Sequence, residues 1–338
     1  MDTAIYGAGS MGTVLGAFLS RAGIGADLVG RDRAHIDALR TAGAKIGGTV
    51  SFSTPPFDGT DGRGLAMLPG EMGKQYDIIF LLTKQADNAA TAAMLAGFLS
   101  PSGVVCTMQN GFPEPALAAV LGRERVMGCI CVWGGKITGP GIADLTSKSG
   151  SMVFNLDGNP HPMLDSVRET LAKVCTVTVE ADFTGARWSK LLLNAAFSGL
   201  SAITGYSFGR LASDRRSREL VLLVIKECID VCRASGIRIK PVQDIFPADF
   251  LYCDNPLKKA LLSLAMPLAM KSHRAIMSGM LRDIDRGRAS EVDFINGAVS
   301  RAGRECNVPT PVNDRIVEIV HSIERGERKY SPENLGLV

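Results

Sequence analysis

The pattern of apolar and polar positions changes near the middle of the chain. As far as about residue 180, short apolar runs rich in β-branched residues alternate with longer stretches whose apolar positions recur every three or four residues. Such alternation predicts helices packed on a parallel sheet, an α/β arrangement. The runs that read as strands are 3–6, 26–29, 77–82, 104–108, 126–133, 151–155 and 175–179. Residues 47–75 are rich in Gly and Pro and read as a loop with room for one short strand. Beyond Phe183 the spacing is helical in 186–200, 214–235, 256–270, 291–306 and 311–325, with Pro241 and Pro247 marking a loop between two of these helices. Two domains are expected, a Rossmann-type α/β domain over 1–181 and an all-helical domain over 182–338. Length agrees, because a single core seldom grows past about 250–300 residues.

Composition narrows the partners. With 46% hydrophobic and 21% charged residues, no stretch is polar enough to stay unfolded, and a net charge of +3 spread along the chain gives no footprint for nucleic acid or an anionic membrane. A small molecule is the expected partner. The apolar runs 191–203 and 220–225 are too short or too interrupted, by Asn194, Ser198 and Ser201, to span a bilayer, and the first residues carry no export signal, so a cytoplasmic protein is expected. Eight scattered cysteines read as buried free thiols, and four histidines without HxH or HExxH spacing give no support for a metal. Apolar helices of the second domain fit either domain packing or a homodimer interface.

The first predicted strand runs directly into Gly7-Ala8-Gly9-Ser10-Met11-Gly12, followed by a helical pattern through Val14, Leu15, Phe18 and Leu19. Between a strand and a helix, GxGxxG is a phosphate-binding turn. Gly7 makes the turn, Gly9 lets the backbone approach a pyrophosphate, and Gly12 lets helix and strand pack closely. Free N–H groups at the helix start then face the phosphates. At the end of the second strand, where NAD-selective folds carry an acid for the ribose 2′-OH, stands Gly30-Arg31-Asp32-Arg33. Arg31 can grip a 2′-phosphate, which predicts NADP; in the other reading Arg31 and Arg33 are solvated and Asp32 selects NAD. Two more strands end in Thr83-Lys84-Gln85 and Gln109-Asn110-Gly111, at the sheet edge where ligands bind. Lys84 suits ribose or phosphate oxygens, and Asn110 can reach between cofactor and substrate.

In the second half, Lys190 and Asn194 lie four apart in Trp188-Ser189-Lys190-Leu191-Leu192-Leu193-Asn194, on one helix face. A ketone that accepts hydride becomes an alkoxide, which needs a proton and charge stabilisation; an ammonium supplies both. Lys190 is therefore a candidate general acid, with Asn194 as a ligand for the substrate hydroxyl or carboxylate. Spacing alone favours the plainer alternative, a solvated Lys and Asn on an outer face. Ser290 reads as an N-cap with Asp293 three residues on, which places Glu291 in a first helical turn. Nothing in that spacing makes Glu291 catalytic.

Taken in order, GAGSMG, LLTK ending at Lys84, QNG with Asn110, WSKLLLN with Lys190 and Asn194, SEVDFINGAV with Glu291, and NVPTPVND near the end resemble the ketopantoate (2-dehydropantoate) reductase family over nearly the whole chain. The resemblance implies an active site between a Rossmann domain and a helical domain, NADPH as hydride donor, and reduction of ketopantoate to pantoate on the route to pantothenate and coenzyme A. It further implies Lys190 as general acid, and Glu291 at the nicotinamide end, ordering that lysine. Cofactor contacts from Lys84, Asn110 and the backbone near Gly134, and substrate contacts from Asn110 and Asn194, are implied likewise.

The substrate pocket departs from the family. Ser198 stands where characterised members carry a second asparagine, Gly279 where they carry a serine, with Ser278 one step earlier, and Ile276 or its neighbours where another asparagine is expected. Ser198 and Ser278 are thus the remaining polar candidates for substrate contact. A paralogue that reduces another 2-oxo acid is the second reading, and a non-catalytic NADPH sensor the third. Joint retention of Lys190, Asn194 and Glu291 argues against a sensor.

Overall fold

A computed structural model describes residues 1–147, 151–155, 161–241 and 247–338, with the backbone alone for 151–155 and 272. These residues form two compact units, Met1–Gln109 with Pro113–Ala181, and Asp182–Val338 with Asn110–Phe112.

Among its described residues the first unit has twelve strands: β1 Thr3–Tyr6, β2 Asp27–Val29, β3 Lys45–Gly48, β4 Phe52–Ser53, β5 Ala66–Met67, β6 Tyr76–Leu81, β7 Leu99–Thr107, β8 Val126–Cys131, β9 Gly134–Gly139, β10 Ile142–Ser147, β11 Ser151–Asn155 and β12 Val177–Val179. The main sheet has the order β12-β11-β8-β7-β6-β1-β2-β5. Its six strands from β8 to β5 are parallel, and β11 returns antiparallel to β8. Counted along the chain, the six follow the doubly wound order of dinucleotide-binding folds. Parallel strands covered on both faces need apolar residues at successive positions, and Ile78, Ile79, Phe80 and Leu81 are all fully buried. Alternate residues serve opposite faces: Ile5, Leu28, Ile78 and Phe80 pack in one core, Ala4, Val29, Ile79 and Leu81 in the other.

A second sheet, β4-β3-β10-β9, departs from the sequence expectation. The segment 47–75 holds the end of β3, all of β4 and β5, and β8 stops at Cys131, short of the expected 133. The hairpin β9–β10 was hidden by composition: four glycines fall within 134–141, and only one face is well buried, through Ala143 and Leu145.

The second unit is helical among its described residues. Its central helix, Arg215–Ala234, is capped by Asp214, which accepts from Ser217 N at 2.8 Å, and buries Val221, Val224, Cys228, Val231 and Cys232. Asp182 caps the helix Phe183–Asn194, which runs through a π turn, Ala195–Gly199, into Leu200–Thr204. The expected continuous helix 291–306 is broken. Ser290 Oγ accepts from Val292 N at 3.3 Å, Glu291 caps a single 3₁₀ turn, Val292–Phe294, and the α-helix begins only at Asn296. Ile295 leaves the helical region of backbone space (φ −115°, ψ −82°), so Glu291 lies ahead of the helix and outside its first turn. Short helices at Phe208–Ser213 and Gly279–Ile284 were not anticipated, since one or two turns carry too few positions to reveal a period. The loop expected between Pro241 and Pro247 falls outside the described residues. Among the described residues no helix is long and apolar enough to cross a membrane.

Candidate active site

The first unit places its glycine-rich turn, the candidate phosphate cradle, at the carboxyl end of β1, beside β6, where the winding of the sheet reverses. Gly7 has φ +115°, and a Cβ there would lie 2.8 Å from Leu82 C and Thr83 N, so only glycine fits the turn. Gly7 N and Ala8 N donate to Val29 O at 2.9 and 2.8 Å, pinning the loop to β2. A Cβ on Gly12 would overlap the Gly7 carbonyl oxygen and come 3.1 Å from Ile5 Cγ2; this close approach brings the helix Ser10–Arg21 onto β1. Gly9 caps that helix without a side-chain bond, and the first intrahelical bond is Thr13 N to Gly9 O at 2.8 Å. The leading N–H groups, Ser10 to Gly12, therefore front the helix. A Cβ on Gly9 would meet nothing within 4 Å, so the loop faces open space there. Beside Gly7, Thr83 Oγ1 is buried and lacks a hydrogen-bond partner among the described residues. Open space in front of bare helix N–H groups, next to an unsatisfied hydroxyl, fits a pyrophosphate and its ribose.

Surrounding residues support the cradle. Arg31 is exposed after β2. Its charge is felt at Tyr6 beside Gly7: burial raises the Tyr6 phenol above its usual range and the Arg31 guanidinium pulls it back. Asp32 does a different job, its carboxylate accepting from His35 N at 3.1 Å as the cap of the helix Arg33–Ala42. Lys84 is half-buried after β6, at the start of a 3₁₀ turn. Gly134 opens β9, and its neighbour Gly135 lies so close to the start of the first helix that a Cβ there would be 3.3 Å from Ser10 O.

Two buried polar assemblies in this unit had no sequence signal. His35 accepts from Gly141 N at Nδ1 (3.1 Å), which leaves Nε2–H facing Thr13 Oγ1 at 2.9 Å. It ties the first helix to the β9–β10 turn. Gln109 Nε2 donates to Thr83 O and Asn88 Oδ1, both at 2.8 Å, and Thr107 Oγ1 donates to Gln109 Oε1 at 2.9 Å, fixing the ends of β6 and β7.

In the second unit, Lys190, Leu193 and Asn194 are half-buried while Leu191, Leu192 and the whole π turn are buried. Lys190 and Asn194 thus share a partly open side of this helix. Asn110 is half-buried and groups with this unit, and its neighbour Phe112 packs against Trp188, ring centroids 5.3 Å apart. Glu291 is half-buried, and Ser198 is 8% exposed. Ser278 is 2% exposed, and its Oγ accepts from Leu281 N at 3.1 Å as the cap of Gly279–Ile284, so its hydroxyl oxygen is already engaged.

A turn of this kind on a doubly wound sheet defines the class of dinucleotide-binding folds. Residues 3–157 match the family model for ketopantoate reductase PanE/ApbA, and 182–324 match the model for its C-terminal part. The chain belongs to the ketopantoate reductase family. A 2-dehydropantoate 2-reductase of Pyrococcus horikoshii is 25% identical over 327 residues, covering 96% of this chain and 98% of that protein. Among solved structures, a PanE/ApbA family ketopantoate reductase from Ralstonia eutropha aligns with TM-score 0.79 at 24% identity over 97% of this chain and 99% of its own. D-mandelate dehydrogenase with NADH and anilino(oxo)acetate aligns with TM-score 0.78 at 20% identity, 96% of this chain and 99% of its own. A dimeric ketopantoate reductase from Staphylococcus aureus aligns with TM-score 0.70 at 17% identity, over 97% and 100%. All three share the fold.

Proposed function

We propose that the protein is an NADPH-dependent reductase of a small 2-oxo acid, with 2-dehydropantoate as the first candidate substrate. The observation that carries this is the pairing of Lys190 with Asn194 on a partly open side of a largely buried helix, in a chain that also carries the glycine-rich turn. A bound nicotinamide supplies hydride to the carbonyl carbon. Lys190 donates the proton to the carbonyl oxygen as negative charge develops there, and its ammonium stabilises that charge beforehand. Asn194 and Asn110 hold the carboxylate and hydroxyl, and Glu291 orients Lys190 and receives the nicotinamide end. The helix N–H groups of Ser10, Met11 and Gly12 take the pyrophosphate, which lies against the turn that Gly7, Ala8 and Gly9 shape; Lys84 and the Gly134 backbone take ribose and phosphate oxygens. Arg31 takes the 2′-phosphate, an assignment favoured by the commitment of the Asp32 carboxylate to capping.

A second 2-oxo acid is favoured by the pocket itself. Ser198 is shorter than asparagine, and the Ser278 oxygen accepts from Leu281 N as a cap, leaving its proton and one lone pair to offer a substrate. The likeness to a protein captured with NADH and anilino(oxo)acetate points the same way. NADPH oxidation with 2-dehydropantoate and a panel of 2-oxo acids separates the two; no turnover with any of them overturns both.

The partner we assign to the helix Pro256–Ala269 is a second copy of this chain. Leu257, Leu261, Leu264 and Leu268, each 60–76% exposed, repeat at four-three-four spacing, a seam that packs on its own copy. A similar fold forms a dimer in Staphylococcus aureus.

A further inference from the structure

Behind the helix that carries Lys190 runs a chain of buried polar groups. Glu227, 8% exposed on the central helix, accepts Val312 N at Oε1 (2.8 Å), and Asn313 N and Nδ2 at Oε2 (3.0 and 2.7 Å). Asn313 Oδ1 accepts Asn296 Nδ2 at 2.9 Å, and the same Nδ2 donates to Ala195 O at 3.1 Å. Both asparagines are fully buried. Ala195 opens the π turn that follows Asn194 and contains Ser198. A Cβ on Gly199 would lie 2.5 Å from Asn296 Oδ1 and 2.8 Å from Ile316 Cγ2, so the Asn296 amide occupies the space beside the turn.

The order of donors in this chain is forced from its far end. A carboxylate only accepts, so Asn313 must turn its NH₂ toward Glu227 and its oxygen toward Asn296. Asn296 must then present its NH₂ to Asn313 and to the Ala195 carbonyl. A π turn carries one more residue than an α turn, which moves the residues beyond it about 100° round the axis. Whether the turn stays open therefore decides where Ser198 faces relative to Lys190 and Asn194.

We propose that Glu227 is a positioning residue: through Asn313 and Asn296 it holds the π turn and so sets the substrate-facing geometry of Asn194 and Ser198. The kinetic half of this rests on the reading of Asn194 as a substrate ligand; the mechanical half does not. Burial raises the Glu227 carboxyl above its usual range, and the three N–H bonds from Val312 and Asn313 oppose that rise by favouring the ionised form. Glu227→Gln keeps one acceptor oxygen and sets an NH₂ against the Val312 N–H when that oxygen stays with Asn313, or against both Asn313 N–H groups when it turns the other way, so in either orientation the anchor of the amide chain is disturbed.

In full-length Glu227→Gln, hydrogen exchange of the segment 195–204 should rise about ten-fold or more, as for loss of a buried hydrogen bond, while β1 and β6 stay unchanged. KM for the 2-oxo acid should rise by a similar factor with KM for NADPH within about two-fold. Glu227→Asp, which keeps an acceptor-only group, should recover part of both. A core truncation off the chain, Ile319→Ala, provides a variant of matched thermal stability in which exchange of 195–204 and KM should stay near the parent. Unchanged exchange in Glu227→Gln, or the same changes in Ile319→Ala, overturns the proposal. Faster exchange with an unchanged oxo-acid KM also overturns it. A parent enzyme that turns over no 2-oxo acid sinks the assigned function instead, and exchange still decides the mechanical half.

Discussion

Gly9 and Gly12 belong to one motif, yet the structure gives them separate jobs that substitution can pull apart. In Gly12→Ala the new methyl would overlap the Gly7 carbonyl oxygen, a backbone atom that cannot rotate away, and press on Ile5 Cγ2 at 3.1 Å. Relief requires the helix Ser10–Arg21 to lift off β1, and overpacking of this kind costs about 1–3 kcal/mol. Replacing a helical glycine by alanine returns up to about 1 kcal/mol. A net loss of about 1–2 kcal/mol lowers Tm by about 2–8 °C for a unit of this size. In Gly9→Ala the methyl meets nothing within 4 Å, and φ −88° suits any residue, so Tm should stay within about 2 °C of the parent. On the proposed cofactor placement that same methyl stands in the path of the pyrophosphate, and NADPH affinity should fall about ten-fold or more. Differential scanning fluorimetry and NADPH fluorescence titration on both variants decide the matter. A Gly9→Ala variant that binds NADPH as tightly as the parent, or a Gly12→Ala variant with unchanged Tm, would refute the assignment of the two roles.

Three further outcomes follow from the site. Lys190→Ala should lower kcat by about 10² or more in NADPH oxidation, as for a positioned acid, and a parental rate would remove Lys190 from the mechanism. Arg31→Ala should lose most of the preference for NADPH over NADH, about ten-fold or more for one charge-assisted contact; an unchanged ratio of kcat/KM values reassigns the 2′-phosphate. Burial holds the His35 imidazole below its usual range, with Asp32 pulling the other way, so its contribution to stability is complete above the ordinary histidine pKa of about 6.5 and is lost as pH falls through that value and below. The parent Tm should therefore drop between about pH 7.5 and about pH 5.5 by more than that of His35→Gln, and equal drops would count against this role.

Much of the architecture was legible because long periodic segments and a motif in context are strong signals. The runs at 3–6 and 77–82 place β1 and β6 within a residue, since a strand buried on both faces writes itself as consecutive apolar residues. GxGxxG was informative because a strand precedes it and a helix follows. The second sheet was not legible: its glycines suppress apolar alternation, and β3 pairs with β10 almost a hundred residues away, a partnership that local composition does not encode. His35 was invisible as a bridge for a similar reason, its partners Thr13 and Gly141 lying on distant segments. The π turn and the break at Ile295 interrupt segments whose apolar spacing is helical throughout, because tertiary hydrogen bonds from Asn296, not local preference, shape that region. Lys190 and Asn194 were singled out by spacing together with family likeness; the burial of Leu191, Leu192 and the π turn around them is information only the fold supplies.

The central claim is direct hydride transfer from a nicotinamide to the carbonyl carbon of a 2-oxo acid, and it is tested most directly by following the label. With NADPH deuterated at C4 of the nicotinamide on the transferred face and 2-dehydropantoate or the best 2-oxo acid of the panel, mass spectrometry should find deuterium on C2 of the hydroxy-acid product. A hydroxy acid without the label, or no hydroxy acid at all, would contradict the account.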